Sequence, residues 1–237
     1  MSKPMRLDKF LSACGVGTRS EVKKLLRLDL VEVNGEVQRD PTLSIDPETA
    51  EITYRGELLR YQEHVYLMLH KPEGVVSATD DRWSDTVLDL LEGAYRERAL
   101  FPVGRLDRDT TGLLLLTDDG PLSHELLSPR KHVEKVYEAL LDRPATAADV
   151  AAFAQGLNLG DFVSQPAVLT PLEDSRAQVT LTEGKFHQVK RMFEACGAQV
   201  LRLHRLSMGS LTLDPALQPG DWRELTPEEL QALRRKA

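Results

Sequence analysis

The densest cluster of chemistry-bearing side chains runs Gly104-Arg105-Leu106-Asp107-Arg108-Asp109-Thr110-Thr111-Gly112-Leu113. Two carboxylates and two guanidinium groups alternate on a glycine-bounded, hydroxyl-rich segment that feeds the leucine run 113–116. A loop anchored to a buried strand holds a side chain with little positional freedom, which acid–base or nucleophilic work requires. The same spacing also suits a turn capped by Asp and Thr with local ion pairs, and spacing alone leaves both readings open. Tyr137 lies in a stretch, Lys135 to Leu141, that alternates like a strand with one buried face. Its ring is either core or an aromatic platform whose hydroxyl handles a proton. Lys190 and Arg191 are embedded in a helical stripe of Val189, Met192, Phe193 and Cys196, which reads as core packing that stops at Gly197. The six histidines show no paired metal spacing, so no metal site is expected.

The elements that must position these residues fall into two groups. In the first, Leu7, Phe10, Leu11 and Cys14 recur at helical spacing up to Gly15. Thr18 and Glu21 have the spacing of a capping box that opens a second helix with Val22, Leu25 and Leu26 inward. Val31 and Val33 alternate, Asn34-Gly35 supplies a positive-φ turn, and Val37 returns the chain. The polar stretch 56–64 lacks periodicity and reads as a hinge, giving domains at 1–58 and 59–237. Beyond it, Val65 to Leu69 and Leu113 to Thr117 read as buried strands, Lys135 to Leu141 and Ala177 to Leu181 as half-buried ones. Thr146 and Asp149 open a helix that buries Val150 and Phe153, and Thr226-Pro227 opens a terminal helix.

Bulk properties narrow the function. The net charge of −7 argues against a simple RNA-coating protein, since nucleic-acid affinity comes from Lys and Arg replacing counterions. The basic groups are instead concentrated locally. Residues 1–30 hold seven Lys/Arg against three Asp/Glu, and residues 31–60 hold three against seven, so one side of this segment is expected to face nucleic acid. Arg6, Lys9, Arg19, Lys23, Lys24 and Arg27 decorate its two helices. No apolar run approaches a membrane span and the N-terminus has no apolar signal core, so no membrane partner and a cytoplasmic location are expected. Cys14 and Cys196 are expected as free thiols in that reducing compartment. Oligomeric state is not legible, with a monomer favoured.

Two resemblances sharpen this reading. The segment MRLDKFLSACGVGTRSEVKKLL followed by VEVNG resembles an S4 domain, a small RNA-binding module, over about residues 4–50. Asp29 and Leu30 depart from it, standing where that family usually has Gly and a basic residue; a carboxylate there would repel phosphate. Further on, GRLDRDTTGLLLLTDDG resembles the signature of pseudouridine synthases of the RsuA type. Its flanks also match: LHKPEGVVSATDD, SHELLSPRKHVEKVYEALL and EGKFHQVKRMFEACGAQVLRLHR, with His70 replacing the usual asparagine before Lys71-Pro72.

The resemblance implies a two-domain α+β protein: an S4-like helical and hairpin module, then a catalytic domain on a mostly antiparallel mixed sheet flanked by helices. It implies isomerisation of uridine to pseudouridine in ribosomal RNA without a cofactor, on a nucleotide flipped out of its stack. Asp107 would be the catalytic carboxylate, acting at C1′ or promoting glycal formation. Asp109 would face elsewhere if the segment is extended. Tyr137 would lie against the base, Lys190 would pair with Asp107, and Leu203 would close the pocket. Arg191 is the neighbouring alternative to Lys190, and Arg105 either fills the space the base vacates or forms a structural ion pair. From their charge rather than from the resemblance, Arg130, Lys131, Lys135, Lys185, Arg202 and Arg205 are candidates to line an RNA track, each alternatively a solvated surface charge. TDDG, SHELLSPRKH and GKFHQVKRMF resemble the small-subunit members of the family, so 16S rRNA is the expected substrate. The alternatives are a 23S rRNA synthase and a non-catalytic ribosome-assembly protein; intact Asp107, Tyr137 and Lys190 oppose the latter.

Overall fold

Helical periodicity at the N-terminus becomes two short helices because each has a punctuated start or stop. The computed structural model describes residues 4–236 apart from Arg60, Gln62 and Glu97. The strand β1 (Met5–Arg6) leads into α1 (Leu7–Ala13), which ends beside Gly15 at φ 77°. Thr18 and Glu21 form the expected reciprocal capping box at the start of α2 (Arg19–Leu26). Leu7, Phe10, Leu11, Val22 and Leu26 are buried together with Val31, Ile45 and Ile52. Next come β2 (Val31–Val33), β3 (Glu36–Val37), β4 (Ser44–Ile45), β5 (Ile52–Tyr54) and β6 (Glu57–Leu59). Asn34 and Gly35 both take positive φ, closing the β2–β3 turn. A four-stranded sheet runs β3-β2-β5-β6, and β1 pairs with β4.

The stretch expected to be a hinge is partly strand. Arg55 and Gly56, both at positive φ, close a two-residue hairpin that pairs β6 with β5. An Arg-Gly turn lacks the Asn or Asp that signals such hairpins, so the sequence carries no hairpin signal here. The first compact unit extends to His64 and also takes in Glu92–Ala99.

The second unit comprises Val65–Leu91 and Leu100–Ala237. Its elements are β7 (Tyr66–Lys71), β8 (Phe101–Pro102), β9 (Thr110–Thr117), α3 (Gly120–Leu127), β10 (Lys135–Leu141), α4 (Ala147–Gln155), β11 (Val168–Pro171), β12 (Arg176–Leu181), α5 (Gln188–Ala195), β13 (Val200–Met208), β14 (Leu211–Thr212), β15 (Trp222–Glu224) and α6 (Pro227–Lys236). The sheet order is β11-β12-β10-β13-β9-β7-β15, with β14 on β13 and β8 on β9. All its pairings are antiparallel except β13 with β9, so the sheet is mixed and mostly antiparallel, flanked by helices.

The leucine run is central: Leu113, Leu114, Leu115 and Leu116 on β9 are all buried between β13 and β7. On α4, Phe153 is fully buried and Val150 only half so, while the capping residue Asp149 is buried against Arg143. Gly112 is required by close approach: a Cβ there would lie 2.3 Å from the Arg205 carbonyl oxygen on β13, and its φ of 108° disfavours any side chain.

Candidate active site

The segment 105–109 has no regular structure, but it is clasped from several sides. Lys71, at the end of β7, is fully buried, and its Nζ donates to the carbonyls of Pro72 (3.0 Å), Arg108 (3.3 Å) and Thr110 (2.9 Å). The Ser77 hydroxyl donates to the Leu106 carbonyl and accepts from the Leu106 N–H. Gly74 N–H donates to the Arg108 carbonyl, and Arg108 Nε returns a bond to the Gly74 carbonyl at 2.9 Å. These bonds fix the backbone on both sides of Asp107. Burial pushes the Lys71 ammonium down to about 8, against the opposing pull of Asp109, Asp107 and Glu73.

Asp107 is about one-quarter exposed and meets two partners. Lys190 Nζ on α5 donates to Oδ2 at 3.0 Å, and His187 Nε2 lies 3.5 Å from Oδ1. The same Lys190 donates to Asp109 Oδ1 at 2.6 Å. Asp109 therefore does not face elsewhere, because the segment is turned: Thr110 N–H donates to the Asp107 carbonyl, and the turn brings both carboxylates to one lysine. Burial works to raise the Asp109 carboxyl, but the hydrogen bond and charge of Lys190 outweigh it and hold it below the ordinary range. Burial would likewise lower Lys190, and the two carboxylates raise it instead.

A narrow cavity of about 60 Å³ opens on Asp107 and is lined also by Arg105, Leu106, Thr110, Tyr137, Leu203 and residues of 184–189 other than Phe186. Tyr137 and Leu203 point the same way because β10 and β13 pair there, Tyr137 opposite Arg205 and Ala139 opposite Leu203. The structure thus brings Asp107, Tyr137, Leu203 and Arg105 to one cavity, with Lys190 bonded to the carboxylate but not among the lining residues. Arg105 is exposed and has no ion-pair partner among the described residues, so the ion-pair reading of it does not hold. Arg191 points elsewhere, to the Asp161 carboxylate and the Leu159 carbonyl (2.6 Å), with its guanidinium over Phe162.

Several residues with structural claims on the site were not singled out from the sequence: Lys71, Ser77, His187 and Thr110. Thr110 is buried, lines the cavity, and its hydroxyl has no hydrogen-bond partner among the described residues. His187 takes φ 49° at the start of α5, and exposed Phe186 stacks on its ring at 3.8 Å. The bonds of Lys71 to the Arg108 and Thr110 carbonyls, of Ser77 to Leu106 and the approach of His187 to Asp107 all span dozens of residues, and local spacing carries no signal for them.

The basic residues expected on an RNA track divide. Arg130, Lys185 and Arg202 are exposed, whereas Lys135 and Arg205 are buried, because both share the inward face of β10 and β13 with Tyr137. In the first unit, Lys9, Arg19, Lys23 and Lys24 are exposed on the helices. Arg6 lies in β1, ahead of the helix, and is bonded by two nitrogens to Asp8. Asp29 takes φ 59°, which accounts for glycine's suitability there, and Arg39 neutralises it through two 2.6 Å hydrogen bonds. Its carboxyl is accordingly held down by Arg39, and the repulsive charge expected at this position is offset.

Comparison with known proteins places this geometry. Residues 65–195 match the RNA pseudouridylate synthase family and residues 5–49 match the S4 domain. The chain is 47% identical over 97% of its length to an uncharacterised RNA pseudouridine synthase of Bacillus subtilis, YtzG, covering 98% of it. It is 41% identical to ribosomal small subunit pseudouridine synthase A of Escherichia coli K12, over 97% of this chain and all of that one. A crystal structure of a pseudouridylate synthase superposes with a TM-score of 0.69 at 40% identity, covering 97% of this chain and 99% of that one. The chain belongs to the RNA pseudouridylate synthase family and carries an N-terminal S4 domain. It is thus an isomerase acting on RNA.

Proposed function

We propose that this enzyme converts a uridine of small-subunit (16S) ribosomal RNA to pseudouridine, with Asp107 as the catalytic carboxylate. The substrate is inferred from near-full-length similarity to small-subunit synthases, including the Escherichia coli relative. The observation that carries the chemistry is the Asp107 carboxylate, bonded to Lys190 at 3.0 Å and opening on a cavity lined by Tyr137 and Leu203.

In this reading the target nucleotide leaves its stack, at a cost of a few kcal/mol, and its ribose comes to Asp107. The N1–C1′ bond breaks, the base turns, C5 bonds to C1′, the C5 proton departs and N1 gains one. Atoms balance without an oxidant or energy donor. An ionised carboxylate serves attack at C1′ and proton removal toward a glycal alike. Lys190 holds that carboxylate in place, Tyr137 stacks on the base and handles the C5 proton, and Leu203 seals the apolar side. Arg105, free of acid partners among the described residues, occupies the space the base leaves and contacts phosphate. The S4 module grips neighbouring RNA through Lys9, Arg19, Lys23 and Lys24. Mapping pseudouridine in both rRNAs of a deletion strain tests the substrate: loss of one 16S site is expected, and loss confined to 23S overturns it.

A further inference from the structure

Beside the Asp107 cavity lies a larger one of about 480 Å³, and the two share Arg105, Tyr137, Gly184 and Lys185. Its other lining residues include two cations that the chain should not bury without reason. Lys135 is 7% exposed and Arg205 is 2% exposed. They reach this face through one device. A register shift between Val136 and Tyr137 puts Arg205, not Leu206, opposite Tyr137, while Lys135 lies two residues before Tyr137 on the same side of β10.

Neither cation is balanced. Arg205 Nε donates to the Leu113 carbonyl at 2.7 Å, but its Nη2 has no hydrogen-bond partner among the described residues. Lys135 Nζ donates to the Val133 carbonyl at 3.0 Å. Neither has an ion-pair partner among the described residues. The one carboxylate lining the cavity, Glu183, is engaged by the Gln165 N–H (2.7 Å) and Gln188 Nε2 (2.5 Å). Buried charges in folded proteins are normally paired, and two unpaired cations side by side repel. Burial and the neighbouring Arg205 together push Lys135 down to about 8. The arrangement costs the free protein stability and is suited to an anion.

Resting on the proposed function, we infer that this cavity is a subsite for the phosphodiester adjoining the target uridine, with Arg205 and Lys135 as its floor and Arg105 and Lys185 at its mouth. In RNA the anion available one bond from a nucleoside in the Asp107 cavity is that phosphate. A fork of guanidinium donors with an ammonium beside it matches phosphate oxygens.

Two measurements test it. First, inorganic phosphate should raise the Tm of the full-length protein above that in chloride at equal ionic strength. The increment should vanish in Lys135→Met and persist in Lys135→Arg. Second, an RNA carrying one neutral methylphosphonate on either side of the target uridine should show KM raised roughly 10- to 100-fold at one of the two linkages. Lys135→Met should lose the same factor on unmodified RNA and little more on the substituted one. Equal phosphate increments in wild type and Lys135→Met, or additive losses, would overturn the subsite. No effect of methylphosphonate at either linkage in wild type would also overturn it, and that arm needs no variant to fold. Absence of pseudouridine formation on any rRNA, with the phosphate increment intact, would instead strike the proposed function.

Discussion

Replacing Lys190 by methionine removes the single ammonium shared by two carboxylates and keeps an unbranched apolar stem one atom shorter. The magnitude follows from distance and exposure together. At 3.0 Å and an effective dielectric near 20, the attraction to Asp107 has a ceiling of about 5.5 kcal/mol. The two side chains are 26% and 22% exposed, so water screens part of it. The net value should lie low in the charge-assisted range, about 1.5–2 kcal/mol. The shorter contact to Asp109 counts for less, because that side chain is 64% exposed. Single-turnover tritium release from C5-labelled uridine in RNA should therefore slow roughly 10- to 30-fold, at 1.4 kcal/mol per factor of ten. The double variant Lys190→Met/Asp109→Asn should recover a few-fold of this, since the uncompensated neighbouring charge is gone. A Lys190→Met enzyme within twofold of wild type would refute the assignment of this lysine to holding Asp107.

Lys71 offers three protons to three carbonyls while charged and only two once neutral, so kcat should fall above about pH 8 as the clasp on residues 106–110 loosens. Glu73, Asp107 and Asp109 oppose that titration and Lys190 assists it; a rate flat to pH 9.5 would contradict the role. Asp149, held down to about 2 by the Arg143 hydrogen bonds and the Thr146 cap, contributes stability present above about pH 4 and lost as pH falls toward 2. Asp149→Asn should cost about 2 kcal/mol at pH 7 by urea unfolding and much less near pH 2, and an equal cost at both would exclude the ionic account. In the S4 module, Lys23→Gln with Lys24→Gln should raise KM for rRNA, leave kcat near wild type, and reduce the slope of log Kd against log salt by up to about 2. An unchanged slope would remove these lysines from the RNA interface.

Legibility in the sequence tracked how local each interaction is. The capping boxes at Thr18 and Thr146 and the Asn34-Gly35 turn are set by residues three apart or fewer, and each forms where expected. The buried β9 was equally plain from its four leucines. Residues matched by family resemblance, Asp107, Tyr137 and Leu203, meet at one cavity, but their meeting depends on β9, β10 and β13 being neighbours. Pairings across dozens of residues were invisible. Lys71 reaches carbonyls 37 and 39 residues away, and Arg205 turns inward through a register shift that no local pattern marks. Asp109 differs from its expected direction for a local reason: the segment is turned rather than extended, and the turn at Asp107 brings both carboxylates to Lys190.

The proposed reaction depends on one carboxylate. Asp107→Asn keeps the side-chain shape and a hydrogen-bond acceptor for Lys190 but removes the charge. Measured by tritium release from C5-labelled uridine in 16S rRNA, the variant should bind RNA within a few-fold of wild type and form no detectable pseudouridine. Release at a rate comparable to wild type would contradict the assignment of the reaction to Asp107.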